Sequence, residues 1–331
     1  MKRRIAQVLL ATCAALPVAV AHAQPKPDTA NIWTLQDENA SISTADLTDR
    51  FYTNGLKLSW TSGTDQVPGF LSQMGRSLWG DGQQRVGVAI TQQMYTPADT
   101  DLTVASPRDR PYAGVLLGNF SLLSDTDDSR SLLVLSLGIV GPGAGAEGLQ
   151  SGFHDLIGQS HARGWDSQIQ NTFAFEVLHE RTWRLPIAQF YGLETDALPA
   201  ATIGVGDLRD YAQIGVNFRI GQGLASDFGV PRLRPGLSGA DAFTPVRPFA
   251  WYVFAGVDGQ AVGYDLLLTR SVFRGGPHVS PVWDVGEVQA GLALMAFGAR
   301  LTFAWVAQTQ EFHGQTGGLH QFGSAALSVR F

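Results

Sequence analysis

The sequence predicts an all-β fold: a 12-stranded antiparallel transmembrane β-barrel with a short helix in an extracellular loop. Three observations carry that prediction. They are an export leader, apolar–polar alternation of period two in segments of about ten residues, and a composition rich in glycine but poor in charge. Only 16% of residues are charged, against about 25% in an average soluble protein, and glycine accounts for 38 of 331. The chain is too apolar for disorder, and its glycines lack the three-residue period of collagen. Beyond the N-terminus no apolar run reaches the roughly 18 residues of a spanning helix.

The leader comes first. Lys2, Arg3 and Arg4 precede an apolar stretch from Ile5 to Ala21, and Ala21-His22-Ala23 supplies a small-x-small cleavage site, as in a secretory signal peptide over 1–23. A single barrel domain is then expected over 24–331. The only cysteine, Cys13, falls inside the leader, which excludes disulfides, zinc thiolates and a cysteine nucleophile from the mature chain. Without the three leader charges, 20 basic residues face 29 acidic ones, a net charge of −9 that disfavours nucleic acid as a partner.

Strands are expected over 31–39, 52–62, 84–95, 113–124, 130–141, 168–182, 187–206, 210–221, 247–266, 284–297, 299–311 and 320–331. In the second, Leu56, Leu58 and Trp60 alternate with Lys57 and Ser59. In the eighth, Ile214, Val216, Phe218 and Ile220 alternate with Gln213, Asn217 and Arg219. Leu301, Phe303 and Trp305 mark the eleventh, and Leu327, Val329 and the terminal Phe331 the last. The count is even, as bacterial barrels require. An amphipathic last strand ending in an aromatic residue resembles outer-membrane proteins handled by the barrel-assembly machinery. Residues 221–247, rich in glycine, proline and serine, read as a long connection within the barrel.

With both termini periplasmic, the outward connections are about 40–51, 96–112, 142–167, 207–209, 267–283 and 312–319. The chemically dense stretches gather there. Residues 147–159 form a short helix in which Leu149, Phe153 and Leu156 make one apolar stripe, while Gln150 and His154, four apart, neighbour each other on a different face. A loop histidine suits general-base chemistry near neutral pH. A Ser-His-acid triad through Ser151 or Ser160 is the rival mechanism. His161 reads as a surface loop residue, and His179, His278, His313 and His320 as structural.

Several segments together resemble the lipid A 3′-O-deacylase family of outer-membrane barrels, the LpxR type. They are Asp49-Arg50-Phe51-Tyr52-Thr53-Asn54-Gly55-Leu56, Tyr95-Thr96-Pro97, Asp109-Arg110-Pro111-Tyr112-Ala113-Gly114, Gly141-Pro142 with Gln150 and His154, Ile157-Gly158, Gly164-Trp165, 254–259 and Glu311-Phe312. The resemblance covers essentially the whole mature chain. It implies a barrel that hydrolyses the 3′-linked acyloxyacyl ester of lipid A, with His154 activating water and Gln150, Asn39 and Thr53 matching polar positions of the family site. It also implies a Ca²⁺ ion stabilising the oxyanion, with Glu38 and Asn39 as metal ligands. Arg108, Arg110, Tyr95 and Tyr112 are the expected contacts to lipid A. One departure stands out. The family carries Asp after the Glu-Asn pair, whereas Ala40 follows Glu38-Asn39 here, leaving Asp37, Glu38 or Asp46 to supply the carboxylate. Two other readings share the alternation and the leader. One is a family member that binds lipid A with weakened catalysis. The other is a passive narrow porin or structural barrel, its lumen plugged by inward Arg219, Arg300 and Arg330.

Overall fold

The computed structural model describes residues 27–42, 49–233, 240–269 and 275–331. The expected leader and Asp46 lie outside the described residues. The strands are β1 (Ile32–Asn39), β2 (Phe51–Thr61), β3 (Gln83–Thr96), β4 (Ala113–Asp125), β5 (Ser129–Val140), β6 (Thr172–Trp183), β7 (Leu185–Phe190), β8 (Leu193–Gly206), β9 (Arg209–Gln222), β10 (Phe249–Asp265), β11 (Asp284–Ala296), β12 (Ala299–Gln308) and β13 (His320–Arg330). Two helices accompany them, α1 (Gly69–Trp79) between β2 and β3, and α2 (Ala146–Ile157) between β5 and β6.

Apart from β6 and β7, consecutive strands pair antiparallel, and β1 also pairs with β13, from Ile32↔Arg330 to Asn39↔Gly323. The remaining seam closes through β6 and β8. Thirteen segments make twelve staves, because β6 and β7 form one bent stave along β8. Thr182 pairs with Ala200, and after the break at Arg184 the ladder resumes at Leu185↔Ala197. The expected strand over 187–206 is therefore corrected. Its first residues belong to the preceding stave, and the chain reverses at Tyr191-Gly192. Both residues have positive φ, at 50° and 78°, and such two-residue turns match the twist of a hairpin. The result is a closed 12-stranded antiparallel β-barrel without sheet edges. No described helix is long and apolar enough to cross a membrane.

Asn31 and Phe331 exchange backbone hydrogen bonds, so both termini lie at one rim. The connections at that rim include the tight turns 126–128, 191–192 and 297–298, whereas the far rim carries the long ones, 97–112 and 141–171 among them. This asymmetry is that of periplasmic turns against extracellular loops.

Alternation sorts every stave into two faces. In β1, Thr34, Gln36 and Glu38 are buried in the lumen, while Trp33 and Leu35 stand exposed on the outer wall. The lumen is filled by the connection between β9 and β10, which enters from the terminal rim. Phe243, Val230 and Leu224 pack there against Tyr252, Phe254 and Met295. Its charges are answered by the wall. Asp227 accepts from Arg219 at 2.7 Å, Arg300 at 3.0 Å and Tyr252, while Asp241 accepts from Lys57 and Ser59. Arg232 donates to Glu38, Glu287 and Gln289. An unpaired charge in such an interior costs several kcal/mol, on the order of the whole stability margin, so these pairings are the condition for the plug to enter.

Candidate functional site

The cavity of interest lies on the outer wall, at the far rim, between the barrel and α2. It encloses about 520 Å³ and is lined by Asn39, Asp49, Thr53, Asn54, Gln150 and His154, with Asp37, Leu56, Met94 and the apolar side chains of α2 around them. Of the residues singled out as catalytic in the sequence, all four therefore meet at one place.

Helix α2 is set by glycine at both ends. Gly145 and Gly158 adopt left-handed φ of 70° and 71°, and the Gly158 N–H caps the carbonyl of His154. Its start sits close against β4 because Gly114 has no side chain. A Cβ there would come within 2.7 Å of Ala146 Cβ. The buried face of α2 is Ala146, Gln150 and His154, spaced at i, i+4 and i+8. Leu149, Phe153 and Leu156 point outward instead, Leu156 with 82% of its surface exposed. The apolar stripe thus covers no core, and the polar stripe faces the wall.

His154 is held at both nitrogens. Nδ1 lies 2.6 Å from the carbonyl oxygen of Ser160, and Nε2 lies 2.7 Å from Oδ2 of Asp49. Both neighbours are acceptors, so a proton on either ring nitrogen finds a partner. Gln150 donates to the same Asp49 oxygen at 3.1 Å and accepts from the indole N–H of Trp165 at 2.7 Å. Trp165 is buried and packs on Tyr112, ring centroids 5.0 Å apart. Asp49 is fixed in turn through its backbone. The hydroxyl of Thr96 donates to the Asp49 carbonyl, which makes Thr53 the donor to Thr96, at 2.7 Å. Thr53 reaches this position through a β-bulge, where the β2–β3 register slips between Tyr52 and Asn54.

The ladders of β1 run without irregularity to Asn39, which keeps the outward parity of Trp33 and Leu35. That parity is what serves the cavity, because the cavity is on the outer wall. Asp37 shares it and accepts from Asn54 at 2.7 Å. Glu38 points the other way, into the lumen, bound to Arg232, Tyr52 and the backbone of Leu233, and it is no ligand for a metal in this cavity. Ala40 is buried in an apolar cluster with Tyr52 and Phe322.

The four residues expected to contact lipid A do not line the cavity either. Tyr95 is buried in the lumen, and Arg110 stacks 4.5 Å above its ring while pairing with Glu311 at 2.8 Å. Tyr112 is fully buried beneath Trp165, where burial pushes its phenol up to about 12. Arg108 is exposed on the 97–112 loop. The segment 109–114 is thus scaffold, as is Glu311-Phe312, whose aromatic ring meets Phe51 edge to face.

Ser160 meets His154 through its backbone carbonyl and not its hydroxyl, and the carboxylate facing the ring is that of Asp49. Reading the sequence left Asp49 and Trp165 without a role. The i, i+4 spacing of Gln150 and His154 is what lets both side chains reach the one Asp49 oxygen. Among the described residues no group of three or more His, Cys, Asp or Glu side chains is arranged to hold a metal. The cavity does offer hard oxygen donors, the carboxylates of Asp37 and Asp49 and the amide and hydroxyl oxygens of Asn39, Asn54 and Thr53. Such a set suits Ca²⁺ in kind.

A closed barrel with an apolar outer wall, carrying a polar cavity on that wall, defines an outer-membrane β-barrel protein. The chain belongs to the LpxR family: its sequence matches the family described as outer membrane protein LpxR over residues 8–331. Among solved structures it is similar to LpxR from Salmonella typhimurium, with a TM-score of 0.75 at 19% identity, covering 91% of this chain and 100% of that one. The β domain of the Bordetella autotransporter BrkA is more distant, with a TM-score of 0.42 at 10% identity over 91% of this chain and 99% of that one. The comparison with curated proteins finds no match.

Proposed function

We propose that the cavity under α2 hydrolyses the 3′-linked acyloxyacyl ester of lipid A. The observation that carries this reading is a pair of buried His154 and half-buried Asp49 beneath a helix whose outer face is apolar. A water-soluble hydrolase would not turn Leu149, Phe153 and Leu156 outward. In an outer leaflet built of lipid A, that face meets acyl chains, and the esters at their heads reach the level of the cavity.

The hydrogen bond from Nδ1–H to the Ser160 carbonyl sets the tautomer and leaves Nε2 as the base. Water enters beside Asp49 and displaces its contact with Nε2, which takes a proton from the water as the water oxygen attacks the ester carbonyl carbon. Asp49, 2.7 Å from Nε2, stabilises the imidazolium so formed. Collapse of the tetrahedral species breaks the bond to the sugar oxygen, which takes the proton from Nε2. Asp37, Asn39, Asn54 and Asp49 would hold a Ca²⁺ ion, which when bound supplies Lewis-acid polarisation of the carbonyl. Lipid A phosphates, the outer-membrane lipid around the barrel and the barrel-assembly machinery complete the partners this reading names.

The test is His154→Ala with lipid A read by mass spectrometry, in Ca²⁺ and then in EDTA. Loss of a general base lowers such rates by about 10²–10⁴-fold. Undiminished release of the 3′ chain by the variant overturns the role given to His154. The porin reading has little in its favour, because Leu224, Val230, Ala242 and Phe243 of the β9–β10 connection fill the lumen.

A further inference from the structure

The second helix, α1, lies at the opposite end of the same wall and takes no part in the cavity. We propose that it is a membrane-interface helix, its apolar arc covered by the acyl chains of the periplasmic leaflet. Three observations place it there.

First, α1 rests on the outside of the barrel. Gly75 is its one buried residue, and a Cβ there would come within 2.8 Å of the Gln84 side chain, which points outward from β3. Trp79 donates its indole N–H to Nε2 of His179 at 3.0 Å and stacks on that ring. His179 shares the outward face of β6 with Phe175 and Val177. Second, the helix is divided lengthwise. Phe70, Met74 and Leu78, at i, i+4 and i+8, are exposed by 73%, 37% and 56%, whereas Ser72, Arg76, Gln73 and Ser77 form a polar arc beside them, with Arg76 on the far side from Met74. An apolar arc beside a polar one is the geometry of a helix lying in the plane of a membrane surface. Third, the apolar arc continues the lipid-facing wall. Val88 and Ile90 on β3, Phe120 on β4 and Val177 on β6 are exposed on the same side of the barrel. A partner protein would have to displace lipid from that wall to reach it.

The test labels an introduced cysteine, the chain's own single cysteine being replaced. In a Cys13→Ser background, Met74→Cys or Arg76→Cys carries an environment-sensitive nitrobenzoxadiazole label, and the full chain is reconstituted in phosphatidylcholine–phosphatidylglycerol vesicles. Heat-modifiable mobility on gels verifies the folded barrel, and Leu78→Cys replaces Met74→Cys if that variant does not fold. Brominated lipid is expected to quench the label at 74 at least about twofold more than at 76, and aqueous iodide the reverse. Equal quenching of both sites by iodide places the arc in water and overturns the proposal. Protection of site 74 from both quenchers places a protein over it and overturns it too.

Discussion

Helices α1 and α2 are of similar length, lie on the outer wall near β3 and β4, and each shows a row of apolar side chains to the outside. They differ in what they hide. Beneath α2 are Gln150, His154 and a cavity, while beneath α1 is a glycine in close approach. The comparison separates two signals that are easily confused. An outward apolar row marks contact with lipid and is common to both helices. Polar residues on the hidden face mark chemistry and belong to α2 alone.

The sharpest way to break this contrast is to neutralise what α2 covers. Asp49→Asn keeps the shape of the side chain but removes the charge facing Nε2 of His154. By analogy with other carboxylate–histidine pairs, the deacylation rate falls by about 10³-fold, or about 4 kcal/mol of transition-state stabilisation. The expected pattern is a loss in kcat, since Asp49 faces His154 and lines the position proposed for the metal. A variant as active as the parent would remove the distinction between the two helices.

A second difference is bracing. The loops around α2 are tied by the buried pair of Arg110 and Glu311, and α1 has no such brace among the described residues. Burial alone would raise the Glu311 carboxyl, but Arg110 first and Arg209 after it hold it below the usual 4.5. A group depressed in the folded state stabilises fully above its unfolded value and loses that contribution as pH falls through the folded one. Glu311→Gln should therefore cost about 3–5 kcal/mol at pH 7, because it strands Arg110. The gap to the parent in urea midpoint should narrow as pH falls below 4.5.

A smaller effect is expected from Trp165→Phe, which retains the ring on Tyr112 but removes the donor to Gln150. Leaving the Gln150 carbonyl unpaired costs about 1–3 kcal/mol locally, and the freed amide loosens its hold on Asp49. Deacylation should drop by roughly tenfold, with the folded barrel unchanged on gels.

Much of this was legible in the sequence, and the failures share a cause. The strands read from the sequence fall on the staves of the barrel, except that residues 187–190 belong to the stave before the one expected over 187–206. The inward arginines read as a plug do meet one, through Asp227, although Arg330 binds Asp28 at the terminal rim instead. Convergence of Asn39, Thr53, Gln150 and His154 was legible from the far-rim loops. Glu38 was misplaced despite a rule that settles it: neighbours in a strand face opposite ways, so Glu38 and Asn39 cannot line one site. The same rule pairs Asp37 with Asn39 and makes it the cavity's carboxylate beside the departure at Ala40. Helix α1 escaped notice because Phe70, Met74 and Leu78 are scattered among serine, glutamine and glycine, and a search tuned to strands passes over them. Amphipathic reasoning also assumes water outside, whereas around α2 the outside is lipid.

The last prediction concerns the helix without chemistry, and its value lies in how little it should do. Gly75→Leu drives a side chain into Gln84 and lifts α1 from β3, while replacing glycine in a helix returns up to about 1 kcal/mol of helix propensity. Stability should thus change by no more than about 1–2 kcal/mol, since Gln84 is a flexible chain that can turn aside. Deacylation should stay within about twofold of the parent, because α1 and the cavity sit at opposite rims and share no contacts, and distant sites add independently. A Gly75→Leu barrel that folds but loses deacylation would mean that the two helices are coupled along β3, and that α1 supports the chemistry as well as the wall.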